Sequence, residues 1–552
     1  MSTASELNVS QLLVECLEYE GVEYVFGIPG EENIHIVDAL LDSRIRFILT
    51  RHEQGASFMA DMYGRLTGRA GVCLATLGPG AINLALGMAD AQLDSHPVVA
   101  LAAQAGLNRI FKESHQVVDL EAFYEPITKW TGTVALPEAT VEIVRKAFKV
   151  AQTEPPGATA VILPEDVAQM PAAGRPLKTS QPRGTDPSEA QIKRAVALIN
   201  KAEKPVVLAG PGVARDDACA ALQRFVETLD VPVATTFAGK GVFPDDHANA
   251  MGTLGFMQHD YVNFGFDDAD LVITVGYDLI EYAPARWNPG RDKTILHIHE
   301  MPAEVDASYE LAVGVQGNIA ATLDAIIAHK PECGGVNHER MRKLQGMLRE
   351  ELERGEADDG FPLKPQRIIA DIRAAMGRED IVLCDTGALK MWMARLYPCY
   401  APGTCLISNG LATMGFSLPG AIGARLACPE RRVLATMGDG GFLMNSQELE
   451  TAMREKLPFV VLVWVDHQYG LIKWKQEMEI GRPAYIDFTN PDFLKQAESY
   501  GCRGVRITAA KDLRPALIDA LAQDTVTIIE CPVDYGENAR LTDKLGKLTA
   551  AL

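Results

Sequence analysis

The sequence predicts an α/β protein of three doubly wound parallel-sheet domains, and three observations carry that prediction. Strand-like β-branched runs alternate with helix-period segments almost throughout, the pattern of parallel sheets flanked by helices. The 552 residues exceed what one hydrophobic core organises, so several domains are needed. Two stretches break the alternation: residues 171–189, rich in Pro, Gly, Ser, Thr and charge, and residues 330–363, highly charged and punctuated by glycine. Read as linkers, they leave domains at residues 1–175, 190–330 and 360–545.

The first domain opens with a helix over residues 9–20, a short strand at 24–26 and the turn Gly27-Ile28-Pro29-Gly30. A second strand, at 46–50, runs straight into Arg51-His52-Glu53 and a helix over 54–66. The middle domain begins with a strand at 205–209 followed by Gly210-Pro211-Gly212, a start that dinucleotide-binding folds share; the third glycine and the ribose-binding acid are not in place, so no nucleotide site is assigned there. The charged stretch holds a surface helix near 339–354. In the third domain a strand at 431–437 ends at Gly438-Asp439-Gly440-Gly441, residues 445–456 have helical spacing, and a strand at 458–465 ends at Asp466.

Composition narrows the function. With 52 basic and 73 acidic residues, net −21, the chain lacks the broad positive field that attracts nucleic acid or anionic lipid, and neither partner is expected. An anionic ligand must then be held by contact-range devices, namely backbone amides at helix starts and a metal ion. The ten cysteines form no CxxC pair and no dense framework, which suits a reduced compartment. The polar first residues carry no secretion signal and the apolar runs near Val98 and Val460 are too short to span a bilayer, so a cytoplasmic protein without membrane attachment is expected.

The strongest local signal lies in the third domain. Ligands of parallel sheets gather beyond the carboxyl ends of strands, so Asp439 and Asp466 can meet if their strands are neighbours. Glycines on both sides of Asp439 let the backbone approach a phosphate closely. Two carboxylates, a carbonyl and phosphate oxygens would satisfy the near-octahedral demand of Mg²⁺. A lone Gly-Asp-Gly reads equally well as an ordinary turn. The 27-residue offset from Asp439 to Asp466, however, matches the motif of thiamine-diphosphate-dependent enzymes, in which Gly-Asp-Gly is followed at that distance by a second metal ligand.

The chain resembles that family from about Val9 to Tyr535, with its motifs in the family's order: pyrimidine-binding, central and diphosphate-binding domains. The resemblance implies thiamine diphosphate and Mg²⁺ as cofactors, with the metal held by Asp439, Asp466 and the backbone carbonyl of Gln468. It implies cofactor contacts from Gly438, Gly440, Gly441, Tyr469 and Leu471, and from Thr386, Gly387, Ala388 and Leu389 at a helix start. Glu53 alone could be an exposed acid stabilised by a helix dipole. Arg51-His52-Glu53 followed by Ala56-Ser57-Phe58-Met59-Ala60 is similar to the family's cofactor-activating segment, in which the acid bonds the pyrimidine ring among apolar neighbours that let a carboxyl hold a proton. Ile28 and Pro29 lie upstream of it, and Pro79 and Asn83 downstream. Ile407 through Gly415 resembles the segment that folds the cofactor: Met414 would wedge between its two rings and the carbonyl of Ala412 would accept from its amine. Met is also common core filler. In such enzymes the activating acid of one subunit serves a diphosphate on another, so a homodimer is the minimum unit and a tetramer is common.

Asp466, where most of the family has Asn, resembles the FAD-independent acetolactate synthases. So does Gly276-Tyr277-Asp278-Leu279-Ile280-Glu281, and the Arg-Phe-Asp-Asp-Arg type stretch of the FAD-bearing enzymes is missing, so FAD is not expected. Ser114-His115-Gln116 is similar to a loop with an active-site Gln, which makes Gln116 a catalytic candidate and His115 a supporting one. The implied activity decarboxylates one pyruvate and ligates the remainder to a second small 2-oxo acid. Alternatives are another 2-oxo acid decarboxylase or carboligase with a different acceptor, and a non-catalytic scaffold. Lys390 stands where relatives have His, and Lys475, 36 residues after Asp439 and beside Trp474, falls at a selectivity position. Both lysines and Trp474 read either as substrate contacts or, for the lysines, as solvated surface charge.

Overall fold

Short apolar runs rich in Val, Ile, Leu and Ala, buried on both faces in the central strands, build three six-stranded sheets, and every pairing within them is parallel. The computed structural model describes residues 7–179, 184–255, 260–333, 338–539 and 541. Residues 1–6 and 542–545 of the predicted outer domains, with residue 540, and 180–183 and 334–337 of the predicted linkers lie outside these residues. The first sheet contains β1 (Tyr24–Gly27), β2 (Arg46–Leu49), β3 (Gly71–Ala75), β4 (Val98–Gln104), β5 (Trp130–Thr133) and β6 (Ala158–Pro164), in the order β2-β1-β3-β4-β6-β5. The second contains β7 (Pro205–Ala209), β8 (Val233–Thr235), β9 (Ala250–Thr253), β10 (Leu271–Val275), β11 (Thr294–His299) and β12 (Leu311–Gln316), ordered β12-β11-β10-β7-β8-β9. The third contains β13 (Ile381–Cys384), β14 (Cys405–Ile407), β15 (Val433–Gly438), β16 (Val460–Val465), β17 (Arg503–Arg506) and β18 (Thr527–Pro532), ordered β14-β13-β15-β16-β18-β17.

The first and third sheets thus share one topology, while the middle sheet has the strand order of dinucleotide-binding folds. Its Gly210-Pro211-Gly212 turn is nevertheless spent on the protein itself. The N–H of Gly210 donates to Val275 and that of Gly212 to Gly276, and a Cβ on Gly210 would lie 2.4 Å from the Gly276 carbonyl oxygen.

Two glycines join the outer domains. The helix Glu53–Thr67 packs along the helix Ser417–Ala427, where a Cβ on Gly423 would sit 2.3 Å from the carbonyl oxygen of Met59 and one on Gly420 2.7 Å from Met62. Their side chains share one core, with Phe58, Met59 and Met62 against Phe416, Leu418 and Ile422. The predicted helix at 445–456 is observed as the shorter Glu448–Arg454, and a separate helix precedes it. Asp439–Asn445 starts directly on the glycine-rich turn, with its acid in the first turn where the helix dipole favours it, and Glu448–Arg454 follows a tightened turn at Ser446–Gln447.

The helix in the charged stretch, His338–Glu356, is more than a surface feature. Met341 and Leu344 are buried against the middle domain, and Glu351 pairs with the enclosed Arg395 of the third domain, which also binds Asp260. All ten cysteines are unpaired, and among the described residues no helix is long and apolar enough to cross a membrane.

Candidate functional site

β15 and β16 are hydrogen-bonded neighbours with Gly438 opposite Trp464, so Asp439 and Asp466 leave adjoining strand tips on the same side of the sheet edge. Asp439 is buried; its Oδ1 accepts from the Gly440 N–H at 2.9 Å, and its Oδ2 accepts from the His467 N–H at 2.9 Å and from Asn490 Nδ2 at 2.7 Å. Asp466 is directed beside Gly470, where a Cβ would lie 2.7 Å from its Oδ2. Burial, and then the charge of Asp439, push the Asp466 carboxyl up to about 7. Two opposed carboxylates in a partly desolvated pocket are what a divalent cation relieves. Among the described residues no group of three or more His, Cys, Asp or Glu is arranged to hold a metal, so protein acids alone do not complete a cage. Gln468 has both ends of its side chain engaged, Nε2 donating to Asp487 at 2.7 Å and Oε1 accepting from Lys473 at 3.0 Å. The Tyr469 ring lies over Gly440, where a Cβ would come within 3.0 Å of it.

The loop after β13 closes over this tip. Asp385 is fully buried; its carboxylate accepts from the Thr386 N–H at 2.8 Å and from the Gly415 N–H at 2.9 Å, and its Oδ2 would stand 2.8 Å from a Cβ on Gly441. One acid thereby ties together the three segments singled out for the cofactor: residues 385–389, 412–415 and 438–441. Gly387, at φ +153°, turns the chain into the helix Ala388–Leu396, and Leu389 packs near both Gly387 and Gly438. Beside it the Thr386 hydroxyl is enclosed with no hydrogen-bond partner. An unsatisfied buried donor at a helix start next to two acids fits a metal-bound phosphate, which would accept from it. Ala412 holds φ +57°, left-handed for a non-glycine residue, and Met414 is part-buried.

On the first domain, β2, β1 and β3 are adjacent, so the residues following each strand gather at one edge. Glu53 begins its helix after His52, whose Nδ1 accepts from the Gln54 N–H, and Asn83 Nδ2 donates to Glu53 Oε2 at 3.0 Å. Gly80 lies close enough that a Cβ would be 3.3 Å from Glu53 Oε1. The Ile28-Pro29 turn is pinned by Asn33, which accepts from the Gly30 N–H and donates to the Ile28 carbonyl. Gly78, at φ +52°, precedes Pro79 and abuts the backbone of Gln116, itself left-handed at φ +59°, so Gln116 stands beside the Pro79 turn. His115 and Gln116 are exposed in the single chain, and Arg109 anchors their loop through the Ser114 hydroxyl and the His115 carbonyl.

The remaining candidates separate. Lys390 is buried rather than solvated; it donates to the Ser408 carbonyl at 3.1 Å and to Asn409 Oδ1 at 3.3 Å, and burial lowers its proton affinity. Trp474 is buried and, with Asp466, Gln468 and Tyr535, lines a cavity of about 570 Å³; Leu471 is part-buried against the adjoining core. Lys475, one residue on, is exposed and pairs with Glu479 at 3.7 Å. Sequence reasoning missed Asp385 as a tie, Asn490 as a partner of Asp439, and Tyr535, a part-buried residue whose phenol is held above its ordinary range by desolvation and then by the charges of Asp466 and Asp439. Only Asn490 had a local signal, the turn-like Asn490-Pro491, and it resembles any loop.

Comparison with known proteins agrees with this geometry. Residues 7–123, 192–326 and 385–531 match, in order, the N-terminal TPP binding domain, the central domain and the C-terminal TPP binding domain of thiamine pyrophosphate enzymes. The chain belongs to the thiamine pyrophosphate enzyme family. It is 36% identical to the acetolactate synthase of Bacillus subtilis (strain 168), covering 98% of this chain and 95% of that protein. It is 35% identical to the catabolic acetolactate synthase of Raoultella terrigena, covering 97% of each, and 34% identical to a probable acetolactate synthase large subunit of Methanocaldococcus jannaschii, covering 98% and 94%.

Proposed function

We propose that this enzyme is an acetolactate synthase, converting two molecules of pyruvate, or pyruvate and another small 2-oxo acid, into a 2-hydroxy-3-oxo acid and CO₂. The observation that carries its cofactor chemistry is the meeting of Asp439 and Asp466 at neighbouring strand tips beside the unpartnered Thr386 hydroxyl. The choice of ligation rests on end-to-end similarity to proteins named acetolactate synthase. When bound, thiamine diphosphate supplies a nucleophilic carbon and an electron sink for decarboxylation.

The chain's own residues have distinct tasks. Asp439, Asp466 and the Gln468 carbonyl would hold Mg²⁺, and the Thr386 hydroxyl with the amides opening helix Ala388–Leu396 would hold diphosphate oxygens. Glu53, steadied by Asn83, would hold a proton for the pyrimidine ring nitrogen, and Met414 and the Ala412 carbonyl would contact the cofactor's two rings. Gln116 on its strained loop orients the 2-oxo acid, and Trp474 walls the cavity beyond Asp466. The working unit is a homodimer or a pair of dimers, in which Glu53 serves the partner's diphosphate.

Product analysis tests the activity. Purified enzyme with pyruvate, thiamine diphosphate and Mg²⁺ should release one CO₂ per two pyruvate consumed and yield acetoin after acid treatment. Acetaldehyde as the main product, with one CO₂ per pyruvate, would replace the synthase by a simple decarboxylase.

A further inference from the structure

Glu448 opens the short helix Glu448–Arg454 in the third domain and has no exposed surface. Its partners lie mostly in the first domain, almost four hundred residues away. Both carboxylate oxygens accept from the Arg51 N–H at 3.2 Å, Oε1 accepts from the His52 N–H at 3.0 Å, and Oε2 accepts from the Thr451 hydroxyl at 2.7 Å. The N–H groups of Arg51 and His52 belong to the turn leading directly into Glu53. Gly55 completes the fit, since a Cβ there would stand 2.6 Å from Glu448 Oε1. A side chain at 55 would displace the carboxylate from the turn.

Burial raises the proton affinity of the Glu448 carboxyl, while its donors, the Thr451 hydroxyl and the Arg51 and His52 N–H groups, favour the ionised acid. Backbone N–H groups only donate; Oε1 accepts from both of them, and the Arg51 N–H is shared with Oε2 at the same 3.2 Å. An amide in the same place has one acceptor oxygen and would aim its NH₂ at one of the donors. The Glu53 carboxyl itself is restrained through its side chain by Asn83 alone among the described hydrogen bonds. The direction from which it leaves the backbone is therefore set by the turn that Glu448 holds. Gln54, bonded to Asn445 at 3.3 Å, adds a second tie from the same region of the third domain.

We propose that Glu448 is a positioning residue for Glu53: its buried carboxylate fixes the backbone of Arg51 and His52 and so aims the neighbouring acid at its proton partner. This rests on the reading of Glu53 as the cofactor-activating acid. A purely structural staple between domains would affect stability only. A positioning residue also slows proton removal from the cofactor, because a misplacement of an ångström at an acid–base group costs orders of magnitude in rate.

The test uses holoenzyme and follows deuterium exchange at the cofactor's reactive carbon by quenched-flow proton NMR, in wild type, Glu448→Gln, Thr451→Val and Glu53→Gln. In cofactor-free protein, amide exchange across residues 50–53 is read by mass spectrometry. Glu448→Gln should slow carbon exchange by about 10-fold or more and speed amide exchange at 51–52, with cofactor affinity within about 2-fold of wild type. Thr451→Val, which replaces the hydroxyl by a methyl group, should slow carbon exchange by a smaller factor. Normal carbon exchange in Glu448→Gln, with Glu53→Gln slowed, overturns the positioning role and leaves the Glu53 reading intact. Normal exchange in Glu53→Gln removes the Glu53 reading itself. If Glu448→Gln does not fold, Thr451→Val decides: slowed exchange supports the role and wild-type exchange overturns it.

Discussion

Asp439 and Asp466 show how a residue's neighbours decide its chemistry. Each is an ordinary acid after a strand; paired at adjoining tips in a partly dry pocket, they repel, and the Asp466 carboxyl moves up to about 7. A divalent ion removes that conflict, so Asp439→Ala should lower Mg²⁺-dependent retention of thiamine diphosphate by at least about 100-fold. Equilibrium titration of cofactor at fixed Mg²⁺ measures this, and unchanged retention would remove Asp439 from the metal site. Glu53→Gln keeps the shape and removes the proton, so turnover should fall by about 10²- to 10⁴-fold while cofactor stays bound. Turnover at the wild-type rate would leave Glu53 as a helix-start acid and nothing more. The spacing of the two aspartates was legible in the sequence because strand, turn and helix between them are local. Asp385, Asn490 and Glu448 were not, since each acts through partners 30 to about 400 residues away.

At the scale of elements, the helix pair Glu53–Thr67 and Ser417–Ala427 sets where the first domain meets the third. Gly423 there faces the Met59 carbonyl with no room for a methyl group. Gly423→Ala would gain helix propensity, yet the collision is with rigid backbone, so we expect a net destabilisation of about 1–3 kcal/mol, read as an earlier denaturant midpoint. A midpoint at or above wild type would mean the helices separate freely. Periodicity predicted the helix over 54–66 but not its partnership with Ser417–Ala427, because glycine in a helix reads as weakness until a neighbour is seen to need the space. The charged stretch at 330–363 misled for a related reason. Its helix buries one narrow face, including Leu344 and Glu351, and abundant surface charge hides that face from composition.

At the scale of the whole molecule, the junctions between domains carry buried acids. Glu281 in the middle domain has one carboxyl oxygen enclosed without a partner; burial, then the charge of Asp278, raise it to about 8 from an ordinary 4.5. Because the folded value is the higher, the acid's stabilising contribution is complete below pH 4.5 and is lost as pH rises through about 8. Glu281→Gln should flatten that loss: between pH 6 and pH 9 the melting temperature should drop further in wild type than in Glu281→Gln, by about 3 °C or more. Parallel slopes would show that Glu281 does not titrate there. The proposed sharing of the site between subunits reached the sequence reading only through the family resemblance, since no local pattern marks such surfaces. Subunit complementation measures that division. Glu53→Gln and Asp439→Ala proteins, each inactive, are mixed in equal amounts under conditions of subunit exchange and assayed with pyruvate. A mixed dimer would hold one intact site, so recovery of about one quarter of the wild-type rate is expected. No recovery, once mixed dimers are demonstrated, would contradict a site built from Glu53 of one subunit and Asp439 and Asp466 of another.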